Sequence, residues 1–255
     1  KLLRPLRDHY WSEWASLLES AVNVEVTPSV CEELDEIYGN ASNLKDWAKA
    51  ELVNAYAKAA VKIKGKAYEV YMDRACSLLN EIKDDALRII TRVYVYNLLA
   101  SAGVSCPNVD LCERLEDIDK HLEGIREESS NPGEFLRNHP GFEDYVRWHG
   151  TERPEEALNT VIKEAHIFAL FSLGICALRR GELSKAADYF SKVANIEREL
   201  GSWEYYLTDK RYAIKAMALN EESLKRAVSE LEELWDETLQ VIEPDTPYLR
   251  SAAYA

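Results

Sequence analysis

Apolar residues recur at steps of three and four along almost the whole chain, which is the pattern of amphipathic helices. The clearest example is an unbroken seam formed by Leu111, Leu115, Ile118, Leu122 and Ile125. Glycine and proline, which mark turns, account for only 10 and 8 of the 255 residues. A β-sandwich, a β-barrel and a disordered chain are therefore excluded, and the sequence predicts an all-α protein built from antiparallel helical hairpins.

The helical pattern fails in one segment, which divides the predicted fold. Asn131-Pro132-Gly133 and His139-Pro140-Gly141 are typical of loops, and within the segment a short helix is possible around Asp144 to Trp148. The sequence therefore predicts an N-terminal helical half over residues 1–127, an irregular connecting segment over 128–153, a C-terminal helical half over 154–243 and a loose tail over 244–255. Helical units that share cores with their neighbours are expected to form one continuous body.

The charge balance restricts the class of partner. Asp and Glu number 45 against 31 Lys and Arg, which gives a net charge of −14. This charge repels phosphate backbones and anionic lipids, so nucleic acid is a disfavoured ligand and a basic partner is favoured. The longest nearly apolar runs, residues 93–104 and 167–178, are shorter than the ~18–20 residues of a membrane-spanning helix. No membrane span is predicted.

Cysteine and glutamine usage indicates the compartment and the source. The five cysteines show no C-x-x-C spacing, so neither a zinc ribbon nor a secreted disulfide framework fits, and a cytoplasmic location is predicted. Gln240 is the only glutamine whereas glutamate is abundant, a bias typical of hyperthermophiles, and we predict an archaeal source. An intracellular disulfide can form in such cells, and Cys106 with Cys112 is the candidate pair.

One stretch of the second half carries a recognisable spacing. The residues concerned are Leu173-Gly174, Ala177, Gly181-Glu182, Ala186 and Phe190. Gly174 and Ala177 would let two helices of a hairpin approach closely, and Gly181 would supply the turn between them. Ala186 and Phe190 would fill the facing surface. The segment resembles a tetratricopeptide repeat, and a weaker copy extends the resemblance over about residues 167–242.

The resemblance implies both a fold and a function. Tetratricopeptide-like hairpins stack as an α-solenoid, and an irregular helical array is the alternative that the sequence leaves open. Proteins of this family hold a peptide or a partner protein in a groove and carry no chemistry of their own. We therefore expect a non-enzymatic scaffold or adaptor subunit of a larger assembly, without a cofactor.

Two groups of residues are candidates for partner binding. Aromatic and basic residues interleave near the C-terminus, and the candidates there are Tyr205, Arg211, Tyr212 and Lys215, which could share one helix flank. The second group lies in the predicted irregular segment, because loops on rigid scaffolds often bind ligands. Its members are Arg137, His139, Arg147 and His149.

Catalytic motifs are few. Phosphate-binding glycine loops, H-E-x-x-H, G-x-S-x-G and the Glu-x-x-His pairs of di-iron bundles are absent, so no catalytic residue and no metal ligand is assigned. An inward-pointing cluster of ionisable residues is not expected, and this absence separates the scaffold from an enzyme.

The alternative function is an RNA-contacting helical subunit, including a ribonuclease of the HEPN family. The Arg-x4-6-His spacing of that family occurs from Arg4 to His9 and from Arg114 to His121. The family has a polar residue directly after the arginine, whereas Pro5 and Leu115 follow here.

Overall fold

The computed structural model describes residues 11–63, 65–104, 110–149 and 153–241. Within these ranges the chain forms twelve α-helices and no β-strand, which confirms the all-α prediction. Two compact units are present, Lys1–His166 and Ile167–Ala255. The division falls inside the long helix Pro154–Arg180.

The first unit is arranged around one alanine-rich helix. Its helices are α1 (Trp11–Val24), α2 (Pro28–Tyr38), α3 (Asp46–Ile63), α4 (Lys66–Glu81), α5 (Asp85–Ala102), α6 (Leu111–Glu128), α7 (Pro132–Asn138), α8 (Pro140–Trp148) and the first part of α9 (Pro154–Arg180). Six alanines of α3 are buried, and helices α1, α4, α5 and α8 all pack against it. Small side chains allow this many neighbours to approach one helix.

The segment predicted to be irregular is largely helical, so that prediction is wrong. Pro132 and Pro140 begin α7 and α8 instead of interrupting helices. Proline suits the first helical position because its missing N–H would be unpaired there and its φ angle is already helical. Phe135 and Phe142 are buried and meet edge to face, with ring centroids 5.6 Å apart.

The side chain of Asp84 connects α8 to the start of α5 through hydrogen bonds. Its buried carboxylate accepts a hydrogen bond from the backbone N–H of Leu87 at 3.1 Å, which caps α5. It also accepts one from the backbone N–H of Phe142 at 3.0 Å and one from His139 Nδ1 at 3.3 Å. One side chain therefore satisfies polar groups from two helices and from the residue that joins α7 to α8.

The second unit holds the rest of α9 together with α10 (Leu183–Leu200), α11 (Trp203–Ala218) and α12 (Leu224–Val241). Gly181, with φ of +73°, forms the turn between α9 and α10, as the sequence predicts. Ala186 and Phe190 are fully buried in the core of this unit. The hairpin thus has the local features expected of a tetratricopeptide-like unit, and membership of that family stays a prediction.

Gly174 gives a test of how tightly α9 and α10 pack. A Cβ atom at this position would lie 2.6 Å from Cε1 of Phe190. The Phe190 ring is held in turn by Phe171 and Tyr212, at centroid distances of 5.4 and 5.3 Å, so it has little room to move. We expect Gly174→Ala to lower the free energy of unfolding by about 2 kcal/mol, because overpacking outweighs the better helix propensity of alanine.

Chemical denaturation measures this loss, and Gly124 offers the matched control. Gly124 lies within α6, and a Cβ there would meet nothing within 4 Å. Gly124→Ala should therefore stabilise the protein by about 0.5–1 kcal/mol. Equal effects of the two substitutions would show that α9 and α10 are not in close contact at Gly174.

Helix α9 is the one helix in the described ranges that is long and apolar enough, by length and composition alone, to cross a membrane. Within the protein, 56% of its most apolar 18 residues are buried. The core helix of a soluble protein has the same length, composition and burial, so α9 gives only weak support for a membrane span.

The cysteines do not all share one state. Cys31 is a free thiol, whereas Cys112 and Cys176 each take part in a disulfide. Cys106, which the sequence analysis paired with Cys112, lies outside the described residues.

Candidate interaction groove

A groove with a volume of about 880 Å³ lies between α11 and α12 in the second unit. Its lining residues are Leu207, Arg211, Ile214, Lys215, Ala218, Leu231, Glu232, Leu234, Trp235, Asp236 and Thr238. The residues from α11 recur at steps of three and four, so they occupy one face of that helix. The groove is thus the space that two helix faces enclose.

The groove combines apolar surface with charge of both signs. Apolar side chains from both helices form most of its lining, and Ile214 and Leu234 among them are buried. The basic residues, Arg211 and Lys215, come from α11, whereas the acidic residues, Glu232 and Asp236, come from α12. A site of this kind suits a ligand with an apolar body and charged edges.

Helix α12 is fixed to the rest of the unit along one side. Ala227 and Leu234 are buried in the shared core. Lys210 of α11 forms an ion pair with Glu230. Burial by itself would raise the pKa of Glu230, but the positive charges and hydrogen bonds of Lys210 and Arg226 outweigh it, so the pKa is lowered. Farther along, Glu237 accepts a hydrogen bond from Tyr206, and Arg198 Nη2 lies 3.0 Å from Glu237 Oε1. These contacts hold α12 in the orientation that shapes the groove.

Beside this packed side, α12 carries a half-exposed apolar stripe. Its members, which we call the outer stripe, are Leu224, Val228, Leu231 and Trp235. Each side chain is between 49% and 54% exposed. Two of them, Leu231 and Trp235, also line the groove, so the groove and the outer stripe form one continuous apolar surface. Such surfaces on soluble proteins commonly mark interaction sites.

The structure separates the first predicted group of partner-binding residues. Arg211 and Lys215 line the groove. Tyr212 instead places its ring against Phe171 and Phe190, with centroid distances of 5.5 and 5.3 Å. Tyr205 is exposed and is not among the lining residues. The shared flank that the sequence suggested therefore includes only the two basic residues.

The second predicted group does not converge on one site. His139 is bonded to Asp84, and its Nε2 lies 3.7 Å from Glu128 Oε2. Arg147 donates to Glu143 at 2.8 Å within α8, and Arg137 is exposed on α7. His149 contacts Glu51 of α3. Three of the four residues thus make structural contacts with different partners.

Glu51 is an ionisable residue that points inward, and it contacts His149. The Glu51 side chain is only 4% exposed, and His149 Nε2 donates to its Oε1 at 3.0 Å. This hydrogen bond raises the pKa of His149, burial opposes the rise, and the negative charge of Glu51 adds to it. Burial has the opposite effect on Tyr145 and raises the pKa of its hydroxyl. The Tyr145 ring contacts the imidazole of His149 at a centroid distance of 4.6 Å.

The surroundings of this acid–base pair indicate a structural tie. Trp148 stacks on Trp47 with centroids 4.3 Å apart, and its Nε1 donates to Ser16 Oγ at 2.9 Å. The end of α8 is thereby joined to α1 and α3. A carboxylate that orients an imidazole also occurs in acid–base catalysis. Glu51 and His149 are not among the residues that line the groove, all of which belong to the second unit.

The remaining chemical candidates show no assembled site in the described residues. Across residues 11–63, 65–104, 110–149 and 153–241, no three His, Cys, Asp or Glu side chains form a group that could hold a metal ion. Arg114 and His121 are exposed on α6, and His121 Nδ1 donates to the carbonyl oxygen of Asp117 at 2.7 Å. The other HEPN-type pair, Arg4 and His9, lies outside the described residues.

The comparisons with known proteins return no relative. No protein-family model, no curated protein and no solved structure matches the chain significantly.

Proposed function

We propose that the protein is a non-enzymatic interaction subunit that binds a partner protein through the groove between α11 and α12. The observation that carries the proposal is the continuous apolar surface of the groove and the outer stripe. The tetratricopeptide-like spacing of Gly174, Gly181 and Phe190 supports it, since scaffolds of that family bind partners in grooves between helices.

The groove favours a protein segment over a nucleic acid. Arg211, Lys215 and Trp235 together would suit a stacked base beside a phosphate. Glu232 and Asp236 line the same groove, however, and the whole chain carries a charge of −14. Because phosphates are repelled by both, an amphipathic helix is the better ligand. An RNA-contacting subunit or HEPN-type ribonuclease is the alternative that this argument disfavours.

The proposed location is the cytoplasm of a thermophilic archaeon. Disulfide-bonded cysteines and the free thiol of Cys31 occur in the same chain. Disulfides are rare in most intracellular proteins but common in those of hyperthermophiles. The overall negative charge favours a basic partner within that compartment.

Substitution of the groove tests the proposal. We expect Trp235→Glu to remove a stoichiometric protein that co-purifies with the tagged full-length chain from native cells. We also expect it to weaken the reconstituted complex at least tenfold, because the aromatic contact is lost and a charge is desolvated in an apolar contact without a partner. Titration calorimetry of the two purified proteins measures the Kd.

Leu17 provides the matched control for the groove variant. It is 51% exposed on α1, outside the groove, so Leu17→Glu adds one negative charge at a comparably exposed apolar residue. This variant should keep the partner and its Kd. A partner that binds both variants equally, or a native preparation without any partner, would contradict the proposed function.

A further inference from the structure

The outer stripe of α12 has the spacing of a helix-pairing seam. Leu224, Val228, Leu231 and Trp235 follow one another at steps of four, three and four residues. Steps of this kind place apolar side chains on one line along a helix, as at the a and d positions of a coiled coil. The line is about 16 Å long, and the neighbouring line of α12, which contains Ala227 and Leu234, is already packed in the core of the unit.

We propose that the occupant of the outer stripe is α12 of a second copy of this chain, running antiparallel about a two-fold axis. This inference rests on the proposed function because it uses the same continuous apolar surface: the second copy covers the outer stripe, whereas the partner protein of the proposed function binds in the groove. The stripe is symmetric about its own midpoint, which lies between Ser229 and Glu230. Two antiparallel copies therefore place Leu224 opposite Trp235 and Val228 opposite Leu231, so that each apolar residue meets another.

The charges beside the stripe agree with the antiparallel direction. Lys225 and Glu232 each directly follow an apolar member of the stripe and are exposed on the same flank. Antiparallel pairing brings Lys225 of each copy next to Glu232 of the other, which gives two attractive contacts. In a parallel pair the flank that carries Lys225 and Glu232 would instead face the other flank of the partner helix, so these two attractive contacts would not form.

The pairing is expected to be weak and reversible. A single helix from each copy covers less surface than a standard interface of about 800 Å² per partner, so a Kd of about 10 µM is expected. The net charge of −14 on each copy adds a long-range repulsion that salt screens. Raising the salt concentration should therefore strengthen the dimer until the two local ion pairs are also screened.

Charge reversal in the full-length chain tests both the partner and the direction. Sedimentation from about 1 µM to about 100 µM brackets the expected Kd, and the wild-type mass should rise from 29.1 kDa toward twice that value. Lys225→Glu and Glu232→Lys should each weaken the dimer about tenfold, because two attractive contacts become repulsive. The double variant should recover the wild-type Kd. Both residues are exposed, so the melting temperature should not change.

Val228 separates this inference from the proposed function, because it belongs to the outer stripe but does not line the groove. Val228→Glu should abolish the dimer. A wild-type chain that stays monomeric, a dimer that survives Val228→Glu, or a double reversal that fails to recover would each overturn the pairing. If that monomeric chain still loses a different partner protein on Trp235→Glu, the proposed function stands and only the self-pairing fails.

Discussion

Replacing Asp84 with alanine is expected to lower the free energy of unfolding by about 4 kcal/mol. The carboxylate is 3% exposed and accepts hydrogen bonds from the backbone of Leu87, the backbone of Phe142 and the imidazole of His139. Alanine leaves all three donors without this acceptor in a region that water reaches poorly. Chemical denaturation measures the loss, and hydrogen exchange should show α7 and α8 opening first, since α8 loses its attachment to α5.

The neighbouring residue provides the control for this prediction. Asp85 follows Asp84 directly, its side chain is 70% exposed, and it pairs with Arg88 within the same helix. Asp85→Ala should cost less than about 0.5 kcal/mol, because exposed ion pairs of this type contribute little. Asp84→Asn should give an intermediate loss, since the amide oxygen still accepts while the amide nitrogen faces a donor. If the two alanine variants are equally stable, Asp84 does not hold α8 in place.

Helix positions could be predicted because the residues that form the buried face of a helix are spaced regularly in its own sequence. The seam from Leu111 to Ile125 shows this, as all five of its apolar residues are buried in α6. Pro132 and Pro140 show where local reasoning fails, because proline both ends helices and begins them. The burial of Phe135 and Phe142 stabilises α7 and α8, and it depends on residues distant in the sequence.

The sequence predicted residues on only one wall of the groove, the wall formed by α11. Arg211 and Lys215 were candidates because basic and aromatic residues interleave around them, and the structure places both in the groove. The opposite wall was missed, since Leu234 and Trp235 both contribute to the apolar pattern of α12. A sequence does not show that α11 covers the first and leaves the second half-exposed.

Glu51 was missed for a related reason. It is a glutamate within an alanine-rich helix, and an exposed position is the ordinary expectation for a charged residue. Its partner, His149, is 98 residues away in the chain, and no local pattern connects the two. A charged residue between consecutive buried positions was the only signal available.

Asp209 of α11 is a second carboxylate that is buried although a charged residue is ordinarily expected at the surface. Its pKa is raised from 3.8 to about 7, chiefly by burial and further by the negative charge of Glu197 on α10. Burial also raises the pKa of Glu197, while a hydrogen bond with Ser202 opposes that rise. The second unit thus holds two carboxyl groups whose ionised forms are unfavourable in the folded state.

The free energy of unfolding should therefore fall as the pH rises, as far as Asp209 contributes to it. Below pH 3.8 this residue is protonated in both the folded and the unfolded chain. Between pH 3.8 and about 7 only the unfolded chain gives up the proton, so the contribution of Asp209 to stability is lost over this interval and then levels off. The total loss approaches about 4 kcal/mol, at about 1.4 kcal/mol for each pH unit.

Asp209→Asn isolates this contribution, because asparagine has the shape of the protonated acid and does not ionise. The stability gained by the substitution should grow by about 3 kcal/mol between about pH 5 and about pH 8, measured as the difference between variant and wild type in chemical denaturation. Glu230, whose pKa is lowered, changes stability in the opposite direction, and the difference removes its effect. Asp188→Asn, at an exposed position of α10, controls for the loss of one negative charge. A gain that is independent of pH would mean that Asp209 is ionised in the folded protein, and that the packing of α10 on α11 accommodates its charge.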